Sequence, residues 1–144
     1  ECYREPAGYG PVPEIDNHME FYALAALTEA AMSAIIPTGY APAFQNLQGA
    51  CCGTCLGSGK ELASYDVEHC SSLCDRHPDC ESFNIYFKRV PLVHPGESCK
   101  DPPGTTRIMC KLLDHRIDER DAPQRVALAQ GFVSAITGSN GYNK

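Results

Sequence analysis

Nine cysteines in 144 residues, at positions 2, 51, 52, 55, 70, 74, 80, 99 and 110, constrain this chain more than any other feature. In a reduced compartment so many thiols would call for metal; in an oxidising one they read as a covalent framework. The odd count leaves at least one sulfur free, capped or bonded between chains. Staples, metal ligands and redox groups are the alternatives, and spacing separates them.

Cys70 and Cys74 stand four apart in VEHCSSLCDRH, a run of helix-tolerant residues behind Asp66, a good N-cap. A helix over 67–76 puts both sulfurs on one face. His77-Pro78 ends it, because the residue before a proline avoids the α region. Cys80 follows in a tight reversal within reach of Cys74. CESFNIYF then reads as a strand, with Phe83, Ile85 and Phe87 alternating, and RIMCKLL as a second strand with Cys110 at its centre. The simplest wiring joins Cys70 to Cys110, helix to strand, and Cys74 to Cys80, a local staple. Each such bond typically stabilises by about 2–4 kcal/mol. Zinc would want paired spacings such as C-x2-C with H-x3-H. Here the spacing is C-x3-C, and His69 and His77 share no helical register, so no metal and no cofactor is expected.

CGTC (52–55) has the form of a redox motif, but such a motif needs a strand before it and a helix after it. LGSGK follows instead, and it is loop-like. Cys51, Cys52 and Cys55 are therefore read as structural sulfurs in a Gly-rich loop. Cys2 and Cys99 are expected as partners of that cluster, with the connectivity open.

The length suits one ordinary domain. A net charge of −6 argues against a nucleic-acid partner, whose phosphates ask for a basic face. The longest apolar run, ALAALTEAAMSAII, is broken by Thr28, Glu29 and Ser33 and falls short of the roughly 20 residues a bilayer needs, so no membrane span is expected. None of the five asparagines begins an Asn-x-Ser/Thr acceptor. The chain, opening on Glu1, is read as a mature, processed form, and the cysteine usage points to a secreted, extracellular or wall-associated setting.

YDVEHCSSLCD, CESFNIYF, CKDPPGTTRIMC and the terminal GSNGY, preceded by PTGYAPAFQNLQGA (37–50), together resemble the PAN/apple-like proteins secreted by filamentous fungi. The likeness covers roughly residues 37–143 and rests on the combination, each piece being weak alone. It implies an α+β fold of PAN/apple type, one central helix packed on a curved antiparallel sheet and stapled by disulfides, and it supports the Cys70–Cys110 and Cys74–Cys80 pairing. It also implies a module that binds proteins or carbohydrates without catalysis. The chain is accordingly divided into an N-terminal arm with an apolar segment (1–36) and a PAN/apple-like domain (37–144).

Within the arm, residues 1–20 read as a Pro/Gly-rich strap tied down through Cys2. Glu14, Asp16, His18 and Glu20 alternate and would line one face if extended, most simply a solvated face. FYALAALTEAAMSAII (21–36) has good helix propensity and an apolar stripe, which packs on the domain or docks on a neighbouring chain. KRVPLVHPGESCKDPPG (88–104) reads as a long loop, with Lys88-Arg89 a solvated strand end or, alternatively, a processing site. DHRIDERDAPQR (114–125) reads as an exposed charged turn, VALAQGFVSAI (126–136) as one final strand bulged at Gly131, and Asn140-Gly141 as a tight terminal turn.

No nucleophile elbow, phosphate-cradling loop or buried carboxylate pair stands out, so no catalysis is expected. The leading reading is a secreted recognition or adhesion module for an extracellular glycan or protein. Its candidate ligand-binding residues are Tyr86, Asn84, Tyr65 and Tyr142, aromatic faces and an amide suited to sugars. The alternatives are a structural subunit that self-associates into a filament through its arm, and a secreted effector or inhibitor.

Overall fold

The computed structural model describes residues 1–51 and 55–144. Among them are α1 (His18–Ala23), α2 (Ala25–Met32), β1 (Ala41–Leu47), β2 (Lys60–Leu62), α3 (Val67–Arg76), β3 (Ser82–Pro91), β4 (Gly104–Leu113), a 3-10 turn (Glu119–Asp121), β5 (Val126–Ala129) and β6 (Phe132–Asn143). The strands form one antiparallel six-stranded sheet in the order β2-β4-β3-β6. Both β1 and β5 lie along the far side of β6. The fold is therefore α+β, with more than one helix on the sheet: α1 and α2 join α3 on the same face.

α3 begins where Asp66 accepts a hydrogen bond from the His69 amide at 2.9 Å. Glu68 in its first turn and Arg76 in its last complement the helix dipole. Its buried side holds Val67, Cys70 and Cys74. These pack on Phe83, Ile85 and Phe87 of β3 and Ile108 and Cys110 of β4. Disulfides join Cys70 to Cys110 and Cys74 to Cys80, fastening the helix to β4 and to the residues leading into β3. The third bond corrects the expectation for Cys2 and Cys99. They pair with each other, 97 positions apart, and not with the 51–55 cluster. The strap lies along the loop after β3, where Arg4 bridges Val93 and the Cys2 amide donates to the His94 carbonyl. That course brings Cys2 to Cys99. These three bonds take up six of the nine cysteines and leave the 51–55 cluster outside them.

The boundary expected at 36/37 does not divide the structure. Phe21, Leu27 and Ala31 are wholly buried, and Phe21 and Leu27 belong to the same core as Phe83. The apolar stripe of 21–36 thus packs on its own chain. Nor does the Glu14–Glu20 row exist as an extended face. Asn17 caps α1 by accepting from the Glu20 amide at 2.8 Å, so His18 and Glu20 are helical. Asp16 serves the fold: one carboxylate oxygen binds the Arg89 guanidinium at 2.9 Å and the other accepts from the Gly104 amide. Arg89 is buried, lies 4.2 Å over the Phe132 ring and donates to the Val133 carbonyl. Lys88-Arg89 is therefore mid-sheet and not a strand end, because β3 runs on to Pro91.

The C-terminal third departs most from expectation. Residues 126–136 form two strands of a hairpin, with Ala129 opposite Phe132. Gln130 and Gly131 both have positive φ, 49° and 81°, as a type I′ turn requires. The bulge lies further on, at Gly138 (φ +58°), where β6 carries one residue more than β3 between the Ile85–Asn140 and Phe87–Thr137 pairs. A Cβ at Gly138 would press on the Phe87 ring and the Leu27 carbonyl. Asn140-Gly141 is not a turn but the middle of a buried strand. Its asparagine accepts from the Asn46 amide and donates to the Ala31 carbonyl, and its glycine leaves room for the Phe44 ring. In the 114–125 segment Ile117 and Ala122 are buried against Phe44 and Leu113, so this turn closes part of the second face.

Candidate functional site

Alternation along β3 sends Phe83, Ile85 and Phe87 to the helical face and Asn84, Tyr86 and Lys88 to the other. On that second face β4 contributes Met109 and Lys111, since Met109 pairs with Tyr86 and Lys111 with Asn84. β6 adds Ser134 and Ile136, and the chain entering β5 adds Gln124 and Arg125. Tyr86, Lys88, Lys111, Gln124, Arg125 and Ile136 are among the residues that line a groove of about 420 Å³ there. Its lining includes Lys88, Lys111 and Arg125 and no carboxylate among the described residues. In a chain of net charge −6 this is a local reversal of sign.

The three cations are held differently. Lys111 donates to the Cys51 carbonyl at 3.2 Å, and its ammonium lies 5.6 Å from the Tyr86 ring centre. Arg125 is exposed, and its amide donates to the Gln48 carbonyl. Lys88 is half-buried; burial, then the charges of Lys111 and Arg125, hold its ammonium below the usual lysine range. Cations crowded together at partial burial repel one another, and an anion placed among them relieves the repulsion.

The four residues expected to bind ligand are all tied into the fold. Asn84 is fully buried. Its oxygen accepts from the Cys51 amide at 2.9 Å, and its nitrogen donates to Ser139 Oγ and to the Asn140 carbonyl. Tyr142 stacks on Phe83 with ring centres 5.0 Å apart, and its hydroxyl accepts from Asn140. Tyr65 stacks on Phe87 at 4.9 Å and donates to the Gly138 carbonyl at 2.7 Å. Burial raises the phenol pKa of both. Tyr86 does point away from Ile85 and Phe87. It forms the floor of the groove, but only 2% of it is exposed, so its ring is no platform for a sugar. Burial, then the neighbouring Cys55 and Cys51, push its phenol pKa up.

Of the CGTC motif, Cys52, Gly53 and Thr54 lie outside the described residues. Cys51 is buried, and Cys55 is half-buried where it bridges Leu113. Among the described residues no three His, Cys, Asp or Glu side chains gather in a geometry fit for a metal ion. No described helix is long and apolar enough to cross a membrane.

Lys111 and Arg125 carried no motif, and Lys88 was legible only as half of a dibasic pair. The one signal that could have found two of them is strand parity: Lys88 shares a face with Tyr86, and Lys111 lies one residue from the buried Cys110. No protein-family model matches the chain, and neither a curated protein nor a solved structure is detectably similar to it.

Proposed function

We propose that this is a non-enzymatic, secreted recognition module of PAN/apple type whose ligand seat is the cationic groove. The observation that carries the reading is the grouping of Lys88, Lys111 and Arg125 without a carboxylate, on the sheet face turned away from the helices. A PAN/apple assignment is supported by the sequence likeness and by α3, which two disulfides fasten to the sheet. Three disulfides suit an oxidising compartment, which favours secretion. A rigid, stapled scaffold can hold such a groove open without ligand, so little ordering entropy opposes binding.

The ligand is an anion. Titration calorimetry of the full chain against oligogalacturonate and against a Glu-rich peptide tests this. At least one probe should bind, more weakly as salt is added, because salt screens exposed charges. The Lys88→Ala/Lys111→Ala/Arg125→Ala variant should lose tenfold or more in affinity. Unchanged affinity in that variant, or no binding of either probe, refutes the reading. The filament alternative draws on the odd cysteine, the N-terminal arm and the apolar 21–36 run, and of that run Phe21 and Leu27 are taken up by the chain's own core.

A further inference from the structure

β5 is a wall of the groove and, among the described residues, also an open sheet edge. It pairs with β6 along one side, Val126 to Ala135 through Ala129 to Phe132. Gln124 bridges Gly49 and the Arg125 amide reaches the Gln48 carbonyl, and from Val126 to Ala129 no further strand pairs among the described residues. All four residues of β5 are exposed, Leu128 at 72% and Val126 at 54%. Natural edges are usually blunted by charge, proline or a covering loop, and Val-Ala-Leu-Ala carries no charge and no proline.

We propose that β5 takes an extended acidic peptide from a partner protein as an added antiparallel or parallel strand, with alternate carboxylate side chains reaching into the groove. The inference rests on the proposed anion-binding reading and names its ligand class. Three features favour a peptide over an acidic glycan. The edge offers backbone donors and acceptors that a peptide can satisfy in series and a saccharide cannot. Side chains at i and i+2 of an added strand fall on one face, so a single register can direct acidic groups over β5 toward Arg125, the groove cation next to that edge. Among the described residues no exposed ring stands in the groove for a pyranose to stack on, since Tyr86 is enclosed.

Four probes are titrated into the full-length, disulfide-intact protein. They are an acetylated, amidated (Glu-Thr)4 peptide, its two isomers N-methylated on every Glu or every Thr, and an oligogalacturonate of equal charge. Binding is read by calorimetry, and amide exchange at 126–129 by NMR. The parent peptide should bind and slow exchange at outward-facing amides of 126–129 at least tenfold. One N-methyl isomer should lose at least tenfold in affinity while the other binds like the parent, because a strand edge presents alternate amides. Arg125→Ala should weaken the parent peptide tenfold or more. Exchange at 126–129 unchanged with peptide bound overturns strand addition, as do two N-methyl isomers that bind like the parent. Binding of oligogalacturonate but not of the peptide overturns it too, and leaves the anion-binding groove standing. Binding of neither probe overturns both.

Discussion

The two faces of β3 are built by opposite rules. On one, Phe83, Ile85 and Phe87 lie under three helices and two disulfides and belong to the packed core. On the other, Asn84 is bound into a polar network, Tyr86 is a floor, and Lys88 is kept half-exposed beside two more cations. The packed core and the proposed ligand seat thus sit one residue apart on the same strand, separated only by the pleat. A face sewn down covalently lets the opposite face keep charges that repel.

Breaking the packed face should have the largest effect. Phe87→Ala removes a ring that touches Tyr65 and abuts Gly138, and should cost about 3–5 kcal/mol in denaturant unfolding. A loss below about 1 kcal/mol would mean that the disulfides, not the packing, hold that face. Asn84→Ala comes next. It strands the Cys51 amide and the Ser139 hydroxyl, and should cost about 1–3 kcal/mol although no apolar contact is lost. An unchanged unfolding midpoint would show that the polar network is dispensable.

Lys88→Ala should have the smallest effect on stability, within about 0.5 kcal/mol near neutral pH, while it weakens anion binding. It sharpens the comparison through pH. The folded-state pKa of Lys88 is depressed, so between that value and its unfolded value the unfolded chain binds more protons. Lys88 therefore opposes folding fully below its folded pKa, and that opposition fades as pH rises through it. Anion binding runs the other way, weakening as the ammonium is lost. Wild type should gain stability over this alkaline window relative to Lys88→Ala, measured by urea midpoints at stepped pH. Parallel curves for the two proteins would mean that neither burial nor the neighbouring charges depress Lys88.

Local signals were legible where one short segment decides the outcome. Asp66, the C-x3-C spacing and His77-Pro78 delimit α3 by capping and steric rules that need no distant partner. The alternation Phe83, Ile85, Phe87 marks β3 for the same reason. Turn chemistry misled where distant atoms compete for the same residues. Asn140-Gly141 is a strong turn signal, yet the Asn140 amide is worth more to Asn46 and Ala31, and the Phe44 ring needs Gly141 bare. Gln130-Gly131, a weaker signal, makes the hairpin because β6 must reverse there to reach β3. That Asn84, Tyr86 and Tyr142 lie buried was not legible, because residue type says nothing of burial.

By itself the sequence determined a thiol-rich, acidic α+β chain with a capped helix set before an alternating strand, since spacing, caps and pleat are properties of neighbouring residues. Only the tertiary structure decided that Cys2 meets Cys99, that the N-terminal helices fill the core, and that Lys88, Lys111 and Arg125 share one groove. Those outcomes join residues tens of positions apart. Their energies come from burial and mutual charge, which exist only once the strands lie side by side.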